Sequence, residues 1–503
     1  MTVKLSIAQA TPAERTGFTR PTSQGTVQSE MTRYPQLTRE IDESAHGPEV
    51  GAFFDLDRTL IDGFSVLRFF RDGIRHGRWS PGQVAELLMA SASFELSTVD
   101  FSAYVDATSG VLAGMPEAEF EELGERLFKE SISAEIYPEA RAIADAHRRM
   151  GHTLAVISSA TPYQARPVAR ELGIPHVLAT ELEVRDGILT GETRHPSCYG
   201  EGKANAARKI AEEKGIDLDR SWFYSDSDED LPLFEIVGNP RPTNPNRRLQ
   251  QIAARRDWPA FHFAPRSMPT LAELGRTALA LGSLAPALAL SLPAAWLTGD
   301  WQRATNVATS TWGELASALA GIDIRVSGEE HLWEKRPAVF IFNHQSGIDA
   351  LVICRLLQRD FVGVSKKELA SNPILGPALS LAGTVFVDRF HPTKAASALE
   401  PAVDALRRGL SIAIAPEGTR SSTHMPGPFK KGAFHIAMQA GVPIVPIVLR
   451  NTIDALPRHW LFVRPSTIEV VVRPPIETRD WTRADLPQRM REIRDDYLEV
   501  IAS

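Results

Sequence analysis

Short apolar runs closed on both sides by polar or turn-forming residues recur along this chain, and they predict buried parallel strands. In the first half they are Ala52-Phe53-Phe54, 153–158 (TLAVIS), 176–179 and 222–225 (WFYS); in the second they are 338–342, 384–388, 411–415 and 442–449. Helical periodicity over 138–150, 162–172 and 202–214 separates the first set, and Gly215 supplies a natural stop for the last helix. Alternation of this kind predicts a doubly wound α/β domain, followed by a second α/β domain. Residues 64–133 instead read as helix after helix, a helical insert behind the first strand. Residues 1–48, rich in Thr, Ser, Gln and Pro, read as a disordered arm without a signal-peptide core. The stretch 239–248 (NPRPTNPNRR) reads as the end of the first domain, and the chain to about 270 as a linker.

One segment breaks the pattern. From Thr277 to Gly299 there is no charged residue. As helix it would reach about 34 Å, enough for a bilayer core. The organisation expected is therefore an arm over 1–48, an α/β domain over 49–265 with its helical insert at about 64–133, a linker and apolar segment over 266–320, and an α/β domain over 321–503.

Composition narrows the class. The chain has 503 residues, 43% hydrophobic and 23% charged, which excludes collagen, a wholly disordered chain and a polytopic membrane protein. Cys198 and Cys354 are its only cysteines. They make neither a disulfide framework nor a zinc site, and fit a reducing compartment. The net charge of −7 is unevenly placed: the first 300 residues are acidic, the remainder basic. No basic run interleaved with aromatics suggests nucleic acid as a partner, whereas a basic second half suits an anionic lipid surface.

The candidate chemistry of the first half gathers at strand ends. Asp55 and Asp57 follow the first strand two residues apart, so both carboxylates are expected to face one site at the carboxyl edge of a parallel sheet. Ser158 and Ser159 close the second strand, Lys203 opens a helix, and Ser225-Asp226-Ser227-Asp228-Glu229-Asp230 closes a later strand with an acidic cluster suited to Mg²⁺. Order and spacing resemble the haloacid dehalogenase superfamily, in its phosphoserine-phosphatase-like branch, over about residues 50–245. The resemblance implies a Rossmann-like phosphatase whose helical insert is the cap. It implies Asp55 as nucleophile, Asp57 as general acid and base, and Thr59, Ser158 and Lys203 against the phosphomonoester. It further implies Mg²⁺ held by Asp55, the Asp57 carbonyl and Asp226, with Asp230 in support. Whether Ser158 or Ser159 meets the phosphoryl group is open.

In the second half Asn343-His344-Gln345-Ser346-Gly347-Ile348-Asp349 follows a strand, and a His followed by an Asp five residues later suits a dyad that takes a proton from an alcohol. Gly383-Thr384-Val385-Phe386-Val387-Asp388-Arg389, Pro416-Glu417-Gly418-Thr419-Arg420-Ser421 and Val442-Pro443-Ile444-Val445-Pro446 come after it. The four blocks, in this order over about residues 320–480, resemble the 1-acylglycerol-3-phosphate acyltransferases. The resemblance implies that His344, oriented by Asp349, deprotonates the sn-2 hydroxyl of a lysophospholipid acceptor, which attacks acyl-CoA or acyl carrier protein. Arg389, Glu417, Gly418, Thr419 and Arg420 would form the phosphate end of the acceptor site. The chain as a whole then reads as a bifunctional enzyme of phospholipid synthesis. The alternatives are a phosphatase half serving a soluble substrate such as phosphoserine, or a non-catalytic regulatory one.

Pro286 and Pro293 are expected to break or kink a simple span through 277–299. A single crossing would also put the two domains on opposite sides of the membrane, away from one common pool of donor. A monotopic anchor at the cytoplasmic face is the expectation, aided by a helix over 301–320.

Overall fold

The computed structural model describes residues 34–78, 109–266, 269–371, 382–387, 395–458 and 460–502, with 82, 376, 379 and 380 besides. Most of the expected disordered arm (1–33), much of the expected cap (79–108, position 82 apart) and residues 388–394 lie outside the described residues.

In the first half the strands are β1 (Val50–Phe54), β2 (Thr153–Ser158), β3 (His176–Ala179), β4 (Leu182–Arg185), β5 (Ile188–Thr193), β6 (Asp217–Ser225) and β7 (Asn239–Pro242). Five of them form a parallel sheet in the order β3-β2-β1-β6-β7. Successive residues of β1 serve opposite faces: Ala52 and Phe54 join one apolar core, Phe53 the other. A strand buried on both sides is why β1 reads as an unbroken apolar run. The chain leaves β1 for β2 on one side and returns as β6 on the other. The carboxyl end of β1 is thus the switch point where a doubly wound sheet opens a crevice.

Two expectations are corrected here. The arm is not disordered throughout: Pro35–Asp42 is a helix that buries Ile41 in the core. Leu37 and Ile41, one turn apart, give it an apolar stripe that the surrounding Thr and Pro obscure. The Pro-rich 239–248 does not begin a linker, because β7 is an edge strand, where proline forfeits no second ladder. The helix Arg247–Arg255 and buried Phe263 continue the domain beyond it. Within the expected insert the described elements include the helices Ser65–Arg75 and Glu117–Glu130, and the β4–β5 hairpin, from later in the chain, packs beside them, its Leu189 exchanging backbone hydrogen bonds with Gly114 and Met115. Asp186 and Gly187, both at positive φ, make the tight turn.

The second half holds β8 (Ile322–Ser327), β9 (Val339–Phe342), β10 (Phe361–Lys366), β11 (Val385–Val387), β12 (Ser411–Ile414), β13 (Ile444–Leu449) and β14 (Ser466–Val472). They form one sheet in the order β11-β10-β12-β9-β13-β14-β8, parallel except for the β13–β14 pair. The central β9 again divides its side chains, Phe340 to one core and Val339 and Ile341 to the other.

Between the sheets lie three helices, Leu271–Gly282, Leu284–Thr298 and Trp301–Ala320. A Thr270/Glu273 capping box starts the first. The break at Ser283 falls one turn before Pro286, where the ring would strip a hydrogen bond from a continuous helix. Pro293 is carried inside the second helix. Gly299, at φ +64, turns the chain, and Asp300 caps the third helix by accepting from the amides of Gln302 and Arg303. Leu284–Thr298 and Trp301–Ala320 form a hairpin, packed through small residues such as Ala287 and Ala304.

Candidate active sites

The first site is built by the loop after β1. The Asp55 amide donates to the Tyr224 carbonyl, which extends β1 toward β6 by one residue. Arg58 takes a left-handed turn at φ +57, and its amide donates to the Gly63 carbonyl, closing the loop. This returns the chain to the amino end of Ser65–Arg75. There the Ser65 amide donates to Asp57 Oδ1 at 2.7 Å, a free helix-terminal donor holding a carboxylate. Lys203, buried at the start of Glu201–Lys214, lies 2.9 Å from Asp55 Oδ1 and 2.8 Å from Asp230 Oδ2. By β1–β6 register, Phe54 opposite Tyr224, Asp226 stands one residue beyond the level of Asp55. Its Oδ2 is 3.3 Å from Arg58 Nε.

Electrostatics mark the site as short of positive charge. Burial pushes Asp57 up to about 7, opposed by the Ser65 amide and reinforced by Asp55. Burial and then Asp55 push Asp226 up to about 8, more than Arg58 offsets. Burial alone would lower Lys203, but Asp230 and Asp55 outweigh it and keep the ammonium charged. Four carboxylates thus face one buried ammonium and one partly exposed guanidinium. Hard oxygen donors in excess of local cations are a donor set that fits Mg²⁺. Among the described residues no three carboxylate, imidazole or thiol side chains converge to hold a metal by themselves, so a metal bound here would need a further donor, such as the Asp57 carbonyl.

Asp230, expected to support the metal, has Oδ2 engaged by Lys203 and by the Ser225 hydroxyl, so it also anchors the ammonium. Thr59, expected at the substrate, is 1% exposed, and its hydroxyl has no hydrogen-bond partner among the described residues. Ser158 ends β2 buried, its Oγ accepting from the Ala160 amide, while Ser159 is only half-buried. Sequence reasoning passed over Ser65 and Gln164. Gln164 Nε2 donates to Ser65 Oγ, and its Oε1 accepts from the Thr161 amide. The Thr-x-x-Gln capping box over 161–164 was the available signal.

The second site is the turn after β9. Asn343 exchanges two hydrogen bonds with the backbone of Leu449 at the end of β13. The chain then turns so that Asp349 begins the helix Asp349–Leu357. Asp349 is fully buried, and its Oδ2 meets His344 Nδ1 at 2.8 Å and the amides of Gln345 and Ser346 at 2.8 and 2.9 Å. The His344 side chain remains 30% exposed. With Nδ1 on a buried carboxylate, Nε2 is the basic nitrogen, the arrangement a general base requires.

Glu417 was expected to bind the acceptor's phosphate end. Instead its two carboxylate oxygens accept the amides of His344 and Gly427, each at 2.7 Å. Burial pushes it up to about 7 against those amides. It ties the Pro416–Ser421 block to the His344 turn, as does the Ser421 amide on the His344 carbonyl. Cationic groups cluster nearby. Burial and then neighbouring Arg458 lower Arg420, and Lys430 passes over Gly418, where a Cβ would come within 2.9 Å of its Nζ. Gly418 also sits at φ +73, so only glycine suits both demands. Thr419 is exposed beside them. Arg389 lies outside the described residues. Burial pushes both thiols, Cys198 and Cys354, up to about 12, which removes them as nucleophiles at neutral pH.

Comparison with known proteins agrees with this division. Residues 52–235 match the family model of haloacid dehalogenase-like hydrolases and residues 323–450 that of acyltransferases. A probable phosphatase of Mycobacterium tuberculosis is 34% identical over 254 residues, 47% of this chain and 88% of that protein. A phosphoserine phosphatase of the same organism is 35% identical over 244 residues, 47% of this chain and 78% of that protein. The 1-acyl-sn-glycerol-3-phosphate acyltransferase of Limnanthes alba is 40% identical over 187 residues, 37% of this chain and 66% of that protein. The chain therefore belongs to the haloacid dehalogenase-like hydrolases in its first half, and carries behind it an acyltransferase domain.

Proposed function

We propose that the second half acylates the sn-2 hydroxyl of 1-acyl-sn-glycerol 3-phosphate to give phosphatidate, and that the first half hydrolyses a phosphomonoester through Asp55. The observation that carries the first reading is the His344 Nδ1–Asp349 Oδ2 contact of 2.8 Å beside the cationic cluster. Nε2 takes the hydroxyl proton as the oxygen attacks the thioester carbonyl of acyl-CoA or acyl carrier protein. The C–S bond breaks, and the imidazolium, stabilised by Asp349, returns its proton to the thiolate. Arg420, Arg458 and Lys430, with Arg389, suit the acceptor's phosphate.

In the hydrolase half, Asp55 attacks phosphorus and the ester P–O bond breaks, while Asp57 protonates the leaving alkoxide. Asp57 then takes a proton from the water that attacks the phosphoaspartate, and inorganic phosphate leaves. Lys203 orients Asp55 at 2.9 Å, and with Ser158 suits the phosphoryl oxygens. Asp55, Asp226 and the Asp57 carbonyl would hold Mg²⁺, which neutralises charge on the transferring group when bound. A phosphate-bearing lipid is the substrate we favour, from its co-linearity with the acyltransferase. Phosphoserine is the second reading, supported by the name of the Mycobacterium tuberculosis relative.

The region Leu271–Thr298 is long and apolar enough to cross a membrane by length and composition. The hairpin instead suits monotopic insertion at the cytoplasmic face. Trp296, Leu297 and Trp301 are exposed at its tip, and the chain returns to the side it left.

The test is one set of assays on wild type, His344→Ala and Asp55→Asn. Thiol release is followed with acyl-CoA and lysophosphatidate, and phosphate release over a panel of lipid and soluble phosphomonoesters with and without EDTA. Each substitution is expected to abolish one activity and spare the other, with EDTA stopping only phosphate release. Phosphate release undiminished in Asp55→Asn refutes the hydrolase reading.

A further inference from the structure

A buried contact between the halves leads straight to His344. Glu171 is the last residue of the helix Pro162–Glu171 in the hydrolase domain. His424 belongs to the loop between Arg420 and Gly427 in the acyltransferase domain. Glu171 Oε1 accepts the His424 backbone amide at 2.7 Å and lies 3.0 Å from its Nδ1. Both residues are less than a tenth exposed. Arg141 Nη2 stands 3.6 Å from the same carboxylate oxygen, and Asp454 Oδ1 3.3 Å from His424 Nε2. The His424 carbonyl accepts from Gln345 Nε2 at 2.6 Å. The Gln345 amide donates to Asp349 Oδ2, the oxygen that orients His344.

A surface loop has little reason to bury an imidazole and a backbone amide unless a partner satisfies them. Here that partner comes from the other domain. Removing it leaves the amide without its acceptor and Arg141 without its counter-charge, and frees the loop to move, with the Gln345 side chain attached to it. We infer that Glu171, in the hydrolase domain, is a positioning residue for acyl transfer: docking of the hydrolase half sets the 421–427 loop and, through Gln345, the His344–Asp349 pair. The inference rests on the acyltransferase reading of His344.

The experiment uses the full chain and measures thiol release with acyl-CoA and lysophosphatidate, phosphate release with p-nitrophenyl phosphate and Mg²⁺, and the thermal unfolding midpoint. Glu171→Ala is expected to lower kcat for acyl transfer by about tenfold or more, since small misplacements of reacting groups cost up to about a hundredfold. The KM for lysophosphatidate should change less than kcat, and phosphate release should stay within about twofold. Glu171→Gln keeps an oxygen for the His424 amide and should recover most of the loss. Glu171→Ala combined with His424→Ala should be no slower than the slower single variant. Acyl transfer by Glu171→Ala at the wild-type rate overturns the inference. So do losses that multiply in the double variant, or acyl transfer, phosphate release and thermal midpoint falling in step. A wild-type protein that transfers no acyl group overturns the reading beneath it instead, and the inference with it.

Discussion

Asp349→Asn isolates what a buried negative charge does for acyl transfer. Asn has nearly the same volume, and the Gln345 and Ser346 amides both demand an acceptor where Oδ2 now sits. The amide oxygen should therefore take that place and leave the turn intact. His344 Nδ1 keeps an oxygen neighbour but loses the charge that stabilises its protonated form. With N···O at 2.8 Å, the two charge centres are about 4 Å apart. At an effective dielectric constant of about 20 that separation is worth about 4 kcal/mol, or roughly a thousandfold in rate. The assay is steady-state thiol release at saturating lysophosphatidate, with phosphate release on the same preparation as an internal control. The expected result is a kcat about a thousandfold lower, with KM and phosphate release little changed. A kcat within about tenfold of wild type would show that Asp349 serves only to shape the turn.

Lys203→Met leaves Asp55 and Asp230 buried without their shared cation; phosphate release should be lost and the hydrolase half destabilised by about 3–5 kcal/mol, read from chemical denaturation. Glu417, raised to about 7 from 4.5, binds its proton more tightly folded than unfolded. Unfolded chains therefore carry fewer protons between those values, and stability falls as pH rises from about 4.5 to 7, by on the order of 3 kcal/mol. Glu417→Gln should flatten that slope in urea titrations at pH 5, 6 and 7; an equal slope in both proteins refutes the assignment. Tyr497→Phe removes a buried hydroxyl that donates to the Ile341 carbonyl at 2.8 Å and accepts the Ile447 amide at 3.1 Å. It should cost about 1–3 kcal/mol in the acyltransferase half, seen as a lower denaturation midpoint.

Most of the strands that could be read in advance are buried on both faces, the half-buried edge strands β3 and β11 being the exceptions. β1, β2, β9, β12 and β13 are apolar without interruption because each sheet is covered on both sides. β8, with Asp323 and Arg325 alternating against Ile322 and Ile324, carries a period of two that a search for continuous apolar runs passes over. β7 hides behind its prolines, which only its place at the sheet edge makes tolerable. The β4–β5 hairpin was within reach, since Asp186-Gly187 between two short apolar-alternating segments is a strong short-range hairpin signal.

At the two sites, residue type and position at a strand end were legible, whereas the partner that takes up each polar atom was not. Asp226 and Asp230 lie four residues apart in one acidic run, and nothing in their spacing separates a group left to a cation from one consumed by Lys203 and Ser225. Glu417 stands beside Gly418 and Arg420 in a block that reads as a phosphate grip. A carboxylate is a poor neighbour for phosphate, though, and both its oxygens go to backbone amides. The donors that meet each carboxylate distinguish the two cases: Asp230 Oδ2 is already shared by lysine and hydroxyl, and each Glu417 oxygen already accepts one backbone amide. Glu171 is a third such carboxylate. A helix-terminal carboxylate with no motif around it becomes informative because its oxygen accepts an amide from a loop more than two hundred residues away.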